Sequence, residues 1–241
     1  MINVLNLKKN FGKHTVLADI SFHVDKGQFV GLLGPNGAGK TTTLHTLLGL
    51  ITPTSGKIEI CGYDLAKDRR KILSLVNYSS AYVSLPANLT IQENMFLFSK
   101  LYGVKDHKAR IKEVFEIVDF NIEQDRLVGS LSSGQKTRLN IAKSLLNHPQ
   151  VIFLDEPTAS LDPDSAERIR TSLKRIQQIF NTTILYTSHQ MEEVNALCDS
   201  IIFLNEGRVL YQGLADEIVK TLNVKNLEDA FIKISRGLHD F

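Results

Sequence analysis

One short segment near the start of the chain limits the folds open to it more than any other feature. It reads Gly34-Pro35-Asn36-Gly37-Ala38-Gly39-Lys40-Thr41 and matches the pattern G-x-x-x-x-G-K-[ST]. An apolar run at residues 29–33 precedes it and a helical pattern at residues 44–48 follows it. Backbone N–H groups of such a turn, together with the start of the helix, bind phosphate oxygens. The segment therefore predicts a nucleotide-binding loop, in which Lys40 reaches the β- and γ-phosphates and Thr41 binds Mg²⁺.

The rest of the chain alternates between two kinds of pattern. Short runs rich in branched apolar residues, typical of buried strands, occupy residues 29–33, 151–154, 183–186 and 201–204. Helical periodicity separates them, and strands that alternate with helices predict an α/β fold with a largely parallel sheet. Between about residues 90 and 129, two helical patterns follow one another without a strand, which predicts a helical insertion. Residues 226–231 predict a short terminal helix.

Two adjacent carboxylates end the apolar run at residues 151–154. They are Asp155 and Glu156. Neighbouring strand residues point to opposite sides, so we expect one acid to hold Mg²⁺ and the other to act on water. We assign Asp155 to the metal, directly or through its water shell, and Glu156 to the water that attacks the γ-phosphate. A second acid at this place indicates a hydrolase rather than a kinase.

A histidine follows the next predicted strand, in the sequence Thr187-Ser188-His189. Ligands of open α/β sheets bind at the carboxyl ends of the parallel strands. This position gives His189 access to the γ-phosphate. Taken alone, a histidine of this kind is more often an ordinary surface residue.

The sequence Leu131-Ser132-Ser133-Gly134-Gln135 opens a helical pattern and resembles the LSGGQ signature of ABC ATPases. By spacing alone it is an ordinary helix N-cap. The other elements of that family stand in the same order along nearly the whole chain. These are an aromatic residue near the N-terminus, the phosphate loop, the helical insertion, the signature, the acidic strand, the turn Ser160-Leu161-Asp162, and His189.

The resemblance implies a P-loop NTPase fold with a mainly parallel core sheet, an N-terminal antiparallel β region and a helical signature subdomain. Residues 1–241 would form one ABC ATPase domain, with the helical subdomain inserted at about residues 82–145. ATP and Mg²⁺ are the implied cofactors. The implied ATP-binding residues are Phe11, which stacks on adenine, Val16, Gly34, Pro35, Asn36, Gly37, Ala38, Gly39, Lys40, Thr41 and Thr42. The implied catalytic residues are Glu156, His189 and Lys40, and the implied metal ligands are Thr41 and Asp155.

The resemblance also implies partners. Ser132, Ser133, Gly134 and Gln135 would act on ATP bound by an opposite subunit, and Ser160 and Asp162 would form a turn at the dimer interface. Binding of ATP would close a head-to-tail dimer, either a homodimer or a pairing with a second ATPase subunit, and hydrolysis would release it. A separate permease, held at roughly residues 80–130, would carry the cargo. The short C-terminal segment is similar to that of exporter subunits. The location implied by the resemblance is cytoplasmic, peripheral on the inner face of the cell membrane.

The sequence departs from the family pattern at two positions. Ala81 stands where the family usually has a glutamine that touches Mg²⁺ and the attacking water. We therefore expect basal hydrolysis to be slow or strongly dependent on the partner. Ser133 replaces a usual glycine and adds a side chain to a loop that we expect to be crowded.

Charge and composition decide between some of the alternatives. The net charge of +2, with basic and acidic residues interspersed, favours no nucleic-acid partner. Cys61 and Cys198 stand apart, which fits a reducing compartment. Without an apolar run of about 18 residues, we expect the chain neither to span a membrane nor to be exported. A soluble ABC ATPase, for example of the iron–sulfur assembly type, stays open as an alternative, and so does a regulatory subunit with little hydrolysis.

Overall fold

The computed structural model describes residues 1–80, 84–159, 161–188 and 190–236, and the chain divides into two compact units. The first unit comprises residues 1–73 and those from 183 onward, and the second comprises residues 74–182. Within the described residues, the strands are β1 (Ile2–Phe11), β2 (His14–Val24), β3 (Phe29–Leu33), β4 (Ser55–Ile60), β5 (Tyr63–Asp64), β6 (Val76–Ser80), β7 (Val151–Asp155), β8 (Thr183–Thr187), β9 (Ser200–Asn205) and β10 (Arg208–Gly213). The α-helices are α1 (Lys40–Leu47), α2 (Leu65–Leu75), α3 (Ile91–Leu101), α4 (His107–Ile117), α5 (Ser133–Leu145), α6 (Pro163–Phe180), α7 (Met191–Leu197), α8 (Ala215–Thr221) and α9 (Leu227–Ser235).

An antiparallel sheet in the order β2-β1-β4-β5 lies in the first unit. Its strands bury alternate apolar side chains, as period-two patterning requires. The buried set includes Ile2, Val4, Leu7, Ile20, Phe22, Val24, Ile58 and Ile60. This sheet confirms the predicted N-terminal antiparallel region.

The first unit also contains strands in the order β10-β9-β3-β8. β3 runs parallel to both β8 and β9, and β10 pairs antiparallel with β9 at the edge. All five residues of β3 are buried, which explains its unbroken apolar sequence. The C-terminal helices pack on these strands through a core of Leu33, Val194, Ile201, Phe203, Ile218, Leu222, Leu227, Ala230 and Ile234. The predicted terminal helix is confirmed as α9, with Asn226 as its N-cap.

The second unit pairs β6 with β7 in parallel and adds helices α3 to α6. The two successive helical patterns are confirmed as α3 and α4. A capping box formed by Thr90 and Glu93 starts α3, since each side chain accepts the other residue's backbone N–H. The helix that follows β7, α6, begins at Pro163, because Asp162 caps it and proline is favoured at the first helical position.

None of the described helices is both long enough and apolar enough to cross a bilayer.

Candidate functional site

The phosphate loop connects β3 to α1 in the first unit, and its glycines occupy three different environments. Gly34 has φ +149°, and a Cβ there would lie 1.9 Å from the carbonyl oxygen of Leu204. Gly39 has φ +105°, and a Cβ there would lie 2.7 Å from Cδ2 of Leu17. Gly37, with φ +81°, has no atom within 4 Å of such a Cβ among the described residues. The ends of the loop are therefore packed against the unit and its middle is open, which leaves room for a phosphate group.

Backbone hydrogen bonds fix this loop to the turn between β9 and β10. Gly207 donates its N–H to the carbonyl oxygen of Ala38 at 3.1 Å, and its own carbonyl accepts from Ala18 at 2.7 Å. The N–H of Ala38 bonds to the carbonyl oxygen of Pro35 at 3.2 Å. The loop conformation is thus set by neighbouring backbone, which holds the start of α1 in place for an anion.

Lys40 is the first residue of α1 and only 7% exposed. Its Nζ donates to the carbonyl oxygens of Gly34 at 2.7 Å and Pro35 at 3.0 Å, so the ammonium group lies against the loop. Asn36 and Thr41 are exposed, and Thr42 is half-buried. Loop, ammonium group and helix start together form a donor set that fits the phosphates of ATP.

The predicted adenine-binding residues lie in the same unit. Phe11 ends β1 and is 50% exposed, and Nζ of Lys9 lies 4.7 Å from the centre of its ring. Val16 is half-buried on β2, and its carbonyl oxygen lies 3.2 Å from a Cβ placed on Gly39. The structure therefore brings Val16 against the phosphate loop, while Phe11 presents an accessible aromatic ring.

The signature segment forms the start of α5 in the second unit. Ser132 is the N-cap, and its Oγ accepts the N–H of Gln135 at 3.3 Å, while Oε1 of Gln135 accepts the N–H of Ser132 at 2.9 Å. The expected crowding of this loop does not lie at Ser133, whose side chain is exposed. The crowded residue is Gly134, where a Cβ would lie 2.6 Å from Oγ of Ser165.

The acidic pair lies in the second unit, at the end of β7, but its two members do not both belong to the strand. β7 ends at Asp155, which is 6% exposed. Glu156 has φ +49° and is half-buried. The expectation that strand alternation separates the two carboxylates is therefore wrong, since the chain enters a left-handed turn at Glu156. Left-handed backbone at a residue other than glycine is strained, and such strain clusters at active sites.

Tyr78 is a neighbour of Asp155 that sequence reasoning missed. Burial, followed by the negative charge of Asp155, raises the pKa of the Tyr78 hydroxyl, although a hydrogen bond with Ser80 opposes the shift. The same hydroxyl is hydrogen-bonded to the Asp155 side chain. The contact arises because β6 and β7 are paired, and no local sequence pattern predicts it.

Asp162, in the predicted dimer turn, caps α6. Its Oδ1 accepts the N–H of Ser165 at 2.9 Å, and this hydrogen bond lowers the pKa of the carboxyl group. Ser160, His189 and Ala81 lie outside the described residues. Of the predicted site residues, the structure thus brings the phosphate loop and Val16 together in the first unit. The signature, the acidic pair and Asp162 belong to the second.

Lys143 is a buried cation beneath β6, 5% exposed, on α5. Its Nζ donates to the carbonyl oxygen of Tyr78 at 3.3 Å and lies 5.5 Å from the centre of the Phe98 ring. Burial lowers its pKa to about 8. The pKa of a lysine in an unfolded chain is about 10.4. Between about pH 8 and pH 10, the unfolded chain therefore binds more protons at this position than the folded chain does. The free energy of unfolding therefore rises as the pH increases from about 8 to about 10.

We expect Lys143→Met to stabilise the protein at pH 7, where the buried charge costs up to about 3 kcal/mol. The advantage should shrink as the pH approaches 10, because the wild-type amine is then neutral. Urea unfolding at pH 7 and pH 9.5 measures both effects. Lys174→Met, at an exposed position of α6, is the matched control and should show no such pH dependence. Equal destabilisation by Lys143→Met at both pH values would contradict this account.

Comparison with known proteins adds a separate line of evidence. The sequence profile of the ABC transporter family matches residues 17–159. The linearmycin resistance ATP-binding protein LnrL of Bacillus subtilis is 35% identical, over 99% of this chain and 79% of its own length. The bacitracin transport ATP-binding protein BcrA of Bacillus licheniformis is 39% identical, over 95% of this chain and 74% of its own length. The Nod factor export ATP-binding protein I of Burkholderia lata is 38% identical, over 91% of this chain and 73% of its own length.

Two solved structures are similar over most of their length. One is described as the ATP-binding subunit of an ABC transporter and has a TM-score of 0.86 at 26% identity, covering 98% of this chain and 99% of that one. The other is the dimeric, post-hydrolysis state of the ATP-binding cassette MJ0796 bound to ADP and Pi. It has a TM-score of 0.77 at 25% identity, covering 89% of this chain and 98% of that one. The predicted α/β fold with a mostly parallel sheet and a separate antiparallel sheet is confirmed.

Proposed function

Since this chain belongs to the ABC transporter family, as an ATP-binding subunit, we propose that it hydrolyses ATP to drive export of a compound through a separate membrane permease. The observation that carries the proposal is the phosphate loop. It is packed at Gly34 and Gly39, open at Gly37, and has the Lys40 ammonium group against it. The names of the relatives, which refer to bacitracin transport, linearmycin resistance and Nod factor export, support an exporter. They do not support the soluble alternative.

The residue roles that we propose follow from the chemistry of each group. Phe11 and Val16 contact adenine, and residues 34–42 hold the phosphates. Thr41 and Asp155 offer the hard oxygen ligands that Mg²⁺ prefers. When bound, this ion would neutralise charge on the phosphates. Glu156 acts as general base on the attacking water, and His189 contacts the γ-phosphate.

We also propose that two ATP-binding subunits work together at the cytoplasmic face of the membrane. Residues 1–241 would act as one ATPase domain, in which residues 82–145 form the helical subdomain. Residues 132–135 would act on the nucleotide of the opposite subunit, and the turn with Ser160 and Asp162 would lie at the interface. The dimeric state of a similar cassette supports this arrangement. Ala81, in place of the usual glutamine, would leave hydrolysis slow until the permease is bound.

Helix α3 offers a surface for the permease. Phe96, Leu97 and Leu101 on this helix are 49%, 40% and 68% exposed, and exposed apolar groups of this size mark contact sites. We therefore propose that this face of α3 contributes to the grip on the membrane subunit.

The proposal is tested by purifying the tagged chain from gently solubilised membranes of its native cell and identifying its partners by mass spectrometry. We expect recovery of a protein with several membrane spans. Leu101→Glu should reduce that recovery at least about tenfold, because loss of a hot-spot residue costs about 2 kcal/mol or more and about 1.4 kcal/mol is tenfold in affinity. Leu50→Glu, at another exposed leucine (63%) outside the helical segment, should not. Recovery of soluble partners only would contradict the proposed function and favour a soluble ABC ATPase.

A further inference from the structure

A buried carboxylate lies next to the segment that carries His189. Glu193 stands in the first turn of α7 and is 1% exposed. Its Oε2 accepts a hydrogen bond from the Tyr186 hydroxyl at 2.6 Å and a second from the Ser188 hydroxyl at 2.9 Å. Buried carboxylates are costly and persist where such hydrogen bonds satisfy them. Glu193 is therefore tied to the end of β8 and to the loop that follows it.

A further hydrogen bond joins Ser188 to Gln190, the residue on the other side of position 189. The Ser188 Oγ also accepts the backbone N–H of Gln190 at 3.0 Å. Ser188 and Gln190 are the two covalent neighbours of His189, so Glu193 restrains one directly and the other through a shared hydroxyl. The Gln190 side chain makes no capping bond to α7. The carbonyl oxygen of Gln190 accepts the N–H of Val194 at 3.2 Å, so Glu193 and Ser188 act together with the first turn of α7 in restraining this segment.

Tyr186, which donates to Glu193, also lies beside the strand that leads into the phosphate loop. Tyr186 pairs with Gly31 across the parallel strands β8 and β3. Its fully buried ring meets that of Phe29 edge to face, with centroids 5.7 Å apart. Because β3 continues directly into Gly34, the segment after β8 and the phosphate loop leave the same edge of the sheet. Glu193 therefore links the backbone around residue 189 to the strand that positions the phosphates.

We infer that Glu193 is a positioning residue for hydrolysis, which holds Ser188 and Gln190, the two neighbours of the residue proposed to contact the γ-phosphate. This inference rests on the proposed role of His189. Glu193 itself touches no reacting atom in this account. A small displacement of a catalytic group is sufficient to slow a reaction by about 100-fold.

The test compares ATP turnover by the chain purified with its membrane partner. Glu193→Leu removes the acceptor and keeps most of the volume, so we expect kcat to fall at least about tenfold with KM for ATP within about threefold. Glu193→Gln keeps an acceptor oxygen and should recover part of the loss. Glu192→Leu, at the exposed neighbouring glutamate of the same helix turn, should stay within about twofold of wild type.

A double-mutant cycle separates positioning from plain stability. In a His189→Ala background, Glu193→Leu should cause no further loss, because both changes remove the same contribution. Equal losses in both backgrounds would overturn the inference. If Glu193→Leu folds poorly, Ser188→Ala breaks the same connection with a smaller change, and its kcat should fall without further loss in the His189→Ala background.

The remaining outcomes distinguish this inference from the proposed function. If His189→Ala slows hydrolysis and both Glu193→Leu and Ser188→Ala turn over ATP at the wild-type rate, the positioning role is wrong and the role of His189 stands. If His189→Ala itself turns over at the wild-type rate, both the inference and the proposed role of His189 are wrong.

Discussion

Replacing Glu156 with glutamine is expected to lower ATP turnover by about 100-fold or more, since a general base contributes about 10²- to 10⁴-fold. The change keeps the size of the side chain but removes its ability to take a proton from water. ATP affinity should stay close to that of the wild type, because the phosphate loop and Lys40 are unchanged. Turnover at saturating ATP, together with equilibrium ATP binding, measures the two effects separately.

Glu206 provides a matched control for this variant. It is also a glutamate with left-handed backbone, at φ +46° against +49° for Glu156, and its side chain is exposed. Glu206→Gln should therefore hydrolyse ATP at nearly the wild-type rate. Turnover within about threefold of wild type by Glu156→Gln would remove Glu156 from the catalytic role, because that loss is less than 1 kcal/mol of barrier.

The second large effect is expected from Gly34→Ala. An alanine there would require a Cβ 1.9 Å from the carbonyl oxygen of Leu204, at a φ of +149° that side chains rarely adopt. The loop and β9 cannot both keep their positions, so we expect a loss of about 3 kcal/mol or more in the free energy of unfolding. ATP affinity should fall at least about 100-fold in the fraction that folds, since the loop that holds the phosphates is displaced.

Gly62→Ala separates this clash from backbone strain. Gly62 has a positive φ of +79° in the same unit, but no described atom lies within 4 Å of the Cβ it would gain. We expect a cost of about 1 kcal/mol from the left-handed backbone alone. Urea unfolding and ATP titration of the two variants side by side check the comparison. Equal stability of the two would show that Leu204 does not constrain the loop.

Local patterns predicted those parts of the fold that local interactions determine. The apolar runs at β3, β7, β8 and β9 are short, branched and buried on both faces, so composition alone marks them as strands. The phosphate loop was predicted because its motif is contiguous in the chain, although Gly34 and Gly39 are also required by distant residues, Leu204 and Leu17. The helix start at Ser132 follows from capping chemistry within four residues.

The features that sequence reasoning missed depend on contacts between distant segments. β6 has the polar sequence Val-Asn-Tyr-Ser-Ser, yet four of its five residues are buried because it pairs with β7. Its pairing also brings Tyr78 to Asp155. Glu193 looks like a surface glutamate of an amphipathic helix, yet it is buried and accepts hydrogen bonds from the hydroxyls of Tyr186 and Ser188. The left-handed turn at Glu156 could not be predicted from the sequence, because glutamate is not a residue type that favours this backbone conformation.

The measurement that tests the account most directly is the ATPase rate of the permease complex, purified once with the wild-type chain and once with Glu156→Gln. If this chain powers transport, the wild-type complex hydrolyses ATP faster than the chain alone. The Glu156→Gln complex, of identical composition, is slower than the wild-type complex by about 100-fold or more. Equal rates from the two complexes, or a rate for the chain that its membrane partner leaves unchanged, would contradict the account.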